Sequence, residues 1–179
     1  MVSKIFISGD PGIGKTTVIA KVVYELKSRG YRIGGVLTRD IRERGARIGF
    51  QIISLNDGTT GILASSKLKN GPHVGKYVVN LNDLKNIFAS SLVLSVDNAD
   101  VIVCDEVGPM ELFSPEARRA IELVLQSGKP LVGSMHKRLQ DPLIDKIKEF
   151  AGVKLLEVTL DNRNLLPSTI VEEIIGYFK

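Results

Sequence analysis

One cysteine, Cys104, in 179 residues leaves this chain without an internal disulfide, the staple of small exported domains. A reducing, cytoplasmic setting is therefore expected. Only two histidines are present, far from each other and from Cys104, so no structural zinc site is expected. No apolar run approaches the roughly 20 residues that span a bilayer. Met1-Val2-Ser3-Lys4 leads straight into an apolar stretch with no export signal, and no membrane contact is expected. An excess of charge is missing too. The 24 Lys and Arg against 20 Asp and Glu give +4, which suits an anionic small ligand as well as a nucleic acid and indicates neither. Repeats, low-complexity tracts and linkers are also absent. Residues 1–179 thus fit one domain, long enough for a substantial core, and a monomer is expected. Its 44% hydrophobic and 25% charged residues are ordinary for a globular protein.

What is present is concentrated near the start. Lys4-Ile5-Phe6-Ile7-Ser8 reads as a short apolar strand, Gly9-Asp10-Pro11-Gly12-Ile13-Gly14-Lys15-Thr16 as Gly-x-x-x-x-Gly-Lys-Thr, and the residues from Thr17 onward as a helix. This is a P-loop in the context that the motif requires. Gly9, Gly12 and Gly14 let the backbone curl so that its N–H groups point at phosphate oxygens, with the positive end of the helix behind them. Residues Gly9 to Thr17 are therefore the expected nucleotide-binding loop. Lys15 is expected to reach the β- and γ-phosphates, and the Thr16 hydroxyl to ligate Mg²⁺.

From Thr16 to Arg29, Val18, Ile19, Val22, Val23 and Leu26 fall at helical spacing, with Gly30 at the expected cap. A strand over Tyr31 to Thr38 follows, and its paired glycines, Gly34 and Gly35, indicate close backbone approach. Arg39, Arg42, Arg44 and Arg47 then fall within nine residues. The segment is read either as a solvated loop or as a source of guanidinium groups that overhang the phosphates, with Arg39 and Arg47 as candidate nucleotide contacts. Alternation through Ile48, Phe50 and Ile52, then Asn56-Asp57-Gly58, predicts a β-hairpin inserted into an otherwise alternating βα chain. Ser65 to Val74 reads as a loop with His73 at the surface, Tyr77 to Val79 as a strand, and Asn82 as the cap of a helix to about Ser95.

The second informative stretch is Val101-Ile102-Val103-Cys104-Asp105-Glu106. Unbroken apolarity fits a strand buried on both faces, and two carboxylates stand at its C-terminal end, where open α/β sheets place ligands. Asp105 fits the Walker B aspartate that orients Mg²⁺, and Glu106 fits a base that polarises water in line with the γ-phosphate. Glu111 either touches the site or positions the preceding loop. Ser114-Pro115 opens a helix to Ser127. Pro130 to His136 is the next strand, whose Ser134 and His136 either sense phosphate or cap the strand end. A short helix over Pro142 to Phe150 and a last strand over Val153 to Thr159, with Leu155, Leu156 and Val158 as its core, complete the sheet. Asn162 and Arg163, before a final helix over Ser168 to Lys179, are candidate contacts to the base or simple helix-start chemistry.

Taken together, Gly9 to Thr17, Gly34 to Arg42, Arg47 to Phe50, Val74 to Val79, Asp105-Glu-Val-Gly-Pro-Met-Glu-Leu112 and Asn162-Arg163 resemble a family of small P-loop nucleoside-triphosphatases first described from hyperthermophiles and also regarded as kinase-like. The resemblance spans nearly the whole chain, and the segment from Asp105 to Leu112 is its most specific part. It implies an α/β, RecA-like P-loop NTPase fold: three layers around a mainly parallel sheet, with one strand between the P-loop strand and that of Asp105. It also implies Mg²⁺-dependent hydrolysis of nucleoside triphosphates to diphosphate and phosphate with weak preference among bases, with Lys15 and Glu106 catalytic and Thr16 and Asp105 at the metal. Pro109 departs from members that carry a basic residue there. A kinase acting on a small molecule or a nucleic-acid end, and a nucleotide-dependent switch, are the alternatives weighed against hydrolysis.

Overall fold

The computed structural model describes residues 3–179; Met1 and Val2 lie outside the described residues. Among the described residues, nine strands form one sheet in the order β5-β6-β4-β3-β2-β7-β8-β1-β9. Strands β2 (Ile33–Glu43), β7 (Val101–Val107), β8 (Leu131–Met135), β1 (Lys4–Ser8) and β9 (Val153–Glu157) run parallel to their neighbours. Strand β8 separates β1 from β7, as a RecA-like order requires. From the other edge of β2, β3 (Ala46–Ser54), β4 (Thr60–Ser65), β6 (Tyr77–Val79) and β5 (His73–Val74) continue the sheet antiparallel. The inserted hairpin is thus part of a four-strand extension.

Alternate side chains of the central strands enter two separate cores, the consequence of period-2 geometry in a sheet covered on both faces. Ile5, Ile7, Val101, Val103 and Val132 pack with α1 (Lys15–Ser28) and α6 (Leu166–Gly176). Phe6, Ile102, Cys104 and Leu131 face the opposite way, toward α3 (Ser90–Asn98), α4 (Pro115–Gln126) and α5 (Pro142–Glu149). The buried stripe Val18, Ile19, Val22, Val23 and Leu26 holds α1 on the sheet, each residue contributing about 1.5–3 kcal/mol if fully removed from water. This packing fixes the start of α1, and with it Lys15 and Thr16, against the strand ends.

Several expectations change. The segment from Arg39 to Arg47 is not a loop: β2 runs to Glu43 and turns through Arg44 (φ 49°) and Gly45 (φ 82°) into β3. Two successive positive φ angles match the twist of a tight hairpin. The helix after β6 is capped by Asn80, whose side chain accepts from the Asp83 N–H at 3.1 Å, and not by Asn82. It continues through α2 (Leu81–Asp83) and a π-helical stretch, Leu84–Ala89, into α3. His73, expected in a loop, pairs with Val78 in a two-residue strand. Leu155 is 47% exposed: β9 is an edge strand, and Leu156 and Val153, which point to opposite faces, are the residues that pack on the two cores. The final helix begins at Leu166, with Pro167 in its first turn, earlier than expected.

Gly35 shows why glycines interrupt β2. Its φ is +101°, and a Cβ there would lie 2.0 Å from the Val103 carbonyl oxygen. The backbone bends at this point, and Leu55 N–H donates to the Gly35 carbonyl at 2.8 Å. Beyond the bend, β2 delivers Thr38 to the end of β7.

Candidate active site

The P-loop connects Ser8, at the end of β1, to the first turn of α1. Gly12 (φ 78°) and Gly14 (φ 111°) adopt conformations that a side chain disfavours. Gly9 meets a different demand, since a Cβ there would sit 2.9 Å from the Ile13 side chain and 3.0 Å from the Val158 carbonyl. The Ile13 N–H closes the loop onto the Asp10 carbonyl at 3.1 Å. Lys15 Nζ donates to the Gly9 carbonyl at 3.2 Å, so its ammonium folds back over the loop mouth.

Three elements converge on Asp105, which is fully buried at the end of β7. Thr16 Oγ1 donates to its Oδ2 at 3.0 Å. From β2, Thr38 Oγ1 and the Thr38 N–H donate to the same oxygen at 3.2 and 3.4 Å. Ser134 of β8, also buried, donates to Oδ1 at 2.5 Å. Burial pushes the Asp105 pKa up, and the Ser134, Thr16 and Thr38 donors pull it back. The carboxylate is thereby held as an acceptor hub that ties the P-loop helix to both neighbouring strands.

Glu106 follows on the same strand and is partly buried. Burial raises its pKa first, the Lys15 ammonium lowers it, and the Asp105 charge raises it again. Glu111, 3% exposed, accepts the Gly108 N–H at 3.1 Å, and burial pushes its pKa well up, with the Glu106 charge adding to the effect. A Cβ on Gly108 would lie 3.0 Å from both Glu106 Oε1 and Glu111 Oε2, so this glycine gives the two carboxyl groups room. Glu111 is tied to the loop after β7, and Glu106 is the carboxylate of the pair that feels Lys15.

These residues suit Mg²⁺ by donor chemistry. Thr16 and Asp105 offer hard oxygens within 3.0 Å of each other, and no group of three or more His, Cys, Asp or Glu that could hold a metal occurs among the described residues. Mg²⁺ is typically bound by one or two protein oxygens together with substrate phosphates and water, not by an all-protein cage.

Comparison with known proteins agrees. A family model described as NTPase matches residues 4–171. Nucleoside-triphosphatase THEP1 of Thermofilum pendens is 42% identical over 176 residues, 97% of each chain. The chain belongs to the THEP1 nucleoside-triphosphatase family. Its fold matches the crystal structure of THEP1 from the hyperthermophile Aquifex aeolicus with a TM-score of 0.84 at 30% identity, over 96% of this chain and 98% of that one. A human cancer-related nucleoside triphosphatase matches with a TM-score of 0.83 at 34% identity, over 99% and 100%.

Within this THEP1-family fold the remaining sequence candidates part company. Arg163 reaches the P-loop, its Nη1 donating to the Ile13 carbonyl at 3.3 Å. Asn162 is committed to its own turn, accepting from the Thr159 N–H and donating to the Glu157 carbonyl, each at 2.8 Å. Arg39 is exposed on β2 opposite Gln51, one residue beyond Thr38. Arg47 makes its contacts within the antiparallel extension. Its guanidinium bonds Tyr77 Oη at 3.2 Å, lies 3.7 Å from Asp40 and stacks 4.9 Å over Phe50, on a strand four places from β1 in the sheet.

Two contributors escaped the sequence reading. Thr38 had no signal beyond its place at the end of an apolar run. Lys137, after β8, lies 2.5 Å from Glu157 and 3.6 Å from Asp10, bracing the exposed tip of the P-loop. Beside it, His136 has its pKa lowered by burial and then by the Lys15 charge, and its Nδ1 accepts the Arg138 N–H at 3.3 Å.

Proposed function

We propose that this protein is a Mg²⁺-dependent nucleoside-triphosphatase that converts nucleoside triphosphates to diphosphate and phosphate with weak preference among the bases. The observation that carries this reading is the Asp105 hub: one buried carboxylate joins Thr16 of the P-loop to Thr38 and Ser134, with Glu106 beside it and under the influence of Lys15.

The P-loop N–H groups and the start of α1 bind the β- and γ-phosphates, and Lys15 leaves the Gly9 carbonyl to neutralise them. Thr16 and Asp105 would hold Mg²⁺, which supplies charge neutralisation on the phosphate oxygens when bound. Glu106 accepts a proton from water as the water oxygen bonds to the γ-phosphorus; the bond from that phosphorus to the bridging oxygen breaks, and the diphosphate leaves with its electrons. A glutamate whose pKa burial has raised is a better proton acceptor than an exposed one. Binding energy drawn mostly from phosphates makes discrimination among bases small.

Phosphate release from ATP, GTP, CTP and UTP, without any acceptor and with Mg²⁺ or excess EDTA, tests the reading. Release from all four that EDTA abolishes is expected. Release that appears only after a nucleoside or RNA end is added, with the γ-phosphate transferred to it, rejects hydrolysis in favour of a kinase.

A further inference from the structure

Between the outer face of α1 and the start of α6 runs an open groove of about 540 Å³, whose lining includes Thr17, Lys21, Tyr24, Asn164 and Ser168, with Glu25, paired to Arg29, at its far end. Its lining adjoins the nucleotide motifs in sequence: Thr17 directly follows the metal-side Thr16, and Asn164 directly follows Arg163, whose guanidinium donates to the Ile13 carbonyl. The groove therefore begins one residue beyond the P-loop threonine, within reach of a substituent on a phosphate chain held there. The volume lies within the range of small-molecule sites, and Thr17 to Tyr24 covers about 10 Å of helix at 1.5 Å per residue.

The lining has the composition of a nucleoside site with little reading of base edges. Tyr24 is 76% exposed, the largest exposure among the large hydrophobic side chains, although the residues beside it on the opposite side of the helix, Val22 and Val23, are buried. Packing does not explain an aromatic ring in that position. Asn164, Ser168 and Lys21 are exposed polar residues around it. Asn162, the sequence candidate for a base contact, has both its amide oxygen and nitrogen engaged within its turn.

We propose that this groove binds the ribose and base of the nucleotide, with the Tyr24 ring stacked on the base face. The inference rests on the nucleotide-binding reading above and extends it to a subsite. Stacking accepts any base because every base has a π-face, so the groove supplies affinity with small discrimination, greater for purines than for pyrimidines.

The test compares equilibrium affinities for ATP, UTP and inorganic tripolyphosphate, all with Mg²⁺, in the wild type, Tyr24→Ala, Tyr24→Phe and Ser168→Trp. Tyr24→Ala is expected to weaken ATP about 5- to 10-fold and UTP less, to leave tripolyphosphate within about twofold, and to be rescued by Tyr24→Phe. Ser168→Trp, which fills the groove, is expected to weaken both nucleotides and spare tripolyphosphate. Unchanged ATP affinity in Tyr24→Ala and Ser168→Trp overturns the proposal, as does an equal loss for ATP and tripolyphosphate. A wild type that binds ATP in this Tyr24-dependent way but releases no phosphate keeps the groove and rejects the hydrolase reading alone.

Discussion

Thr16 Oγ1 and Asp105 Oδ2, 89 residues apart in sequence, are joined by a hydrogen bond of 3.0 Å. That bond links the first turn of α1 to the end of β7 and makes the two nucleotide motifs one site. Its geometry depends on the other donors to the same carboxylate, from Thr38 and Ser134.

Removing one of those donors has a definite expected cost. Thr38→Val keeps the shape but withdraws a hydroxyl from a buried carboxylate, and hydrogen bonds to charged groups contribute about 1.5–3 kcal/mol. A loss of about that size in chemical unfolding is expected, with Thr38→Ser restoring most of it. Equal stability of Thr38→Val and wild type would show that Asp105 does not depend on this donor.

Gly35→Ala tests the bend that brings Thr38 into place. At φ +101° and with a backbone oxygen 2.0 Å from the new Cβ, an alanine is incompatible with the native conformation. Destabilisation of at least about 3 kcal/mol is expected, far more than for Gly128→Ala, where open space surrounds the position. Similar melting temperatures for the two variants would contradict the geometry of β2.

Much of the site was legible because its signals are local. The P-loop states its backbone requirements in consecutive residues, and Val101 to Glu106 declares a buried strand by unbroken apolarity and its active end by two carboxylates. What escaped depends on partners distant in sequence. Arg39 to Arg47 reads as a loop from its polarity, yet pairing with residues 46–54 makes it strand. Asn80 and Asn82 satisfy the same capping rule, and only the bond to the Asp83 N–H distinguishes them. Leu155 shares the alternation of a core strand, but the pattern cannot show that β9 is at an edge. Thr38 carries no intrinsic signature, because its role exists only where β2 passes the end of β7.

Lys4 gives a pH dependence away from the active site. Its buried ammonium donates to the Ser127 and Lys129 carbonyls at 2.9 and 3.2 Å, with Val124 at 3.5 Å, closing the C-terminal end of α4. Burial outweighs these acceptors and lowers its pKa from 10.5 to about 8. Between those values the unfolded chain holds the proton and the folded chain does not, so stability rises with pH across this window. The gain is absent below about 8 and complete above 10.5. Relative to Lys4→Met, the wild type is expected to gain about 1–3 kcal/mol between pH 7.5 and 10.5 in urea unfolding. A difference between the two proteins that stays constant with pH would show that Lys4 titrates alike in both states.

The P-loop lysine serves binding and chemistry alike. Lys15→Ala is expected to weaken nucleotide affinity and turnover together, because the same ammonium neutralises phosphate in the bound and reacting states. Unchanged affinity for ATP, measured by titration calorimetry, would remove Lys15 from the phosphate site.

Glu106→Gln tests whether Glu106 is the proton acceptor for the attacking water. ATP affinity by calorimetry and phosphate release under single-turnover conditions are measured on the same preparation. Affinity close to wild type and a rate lower by about 10²- to 10⁴-fold, the range for loss of a general base, are expected. Full turnover in Glu106→Gln would assign the proton to another group.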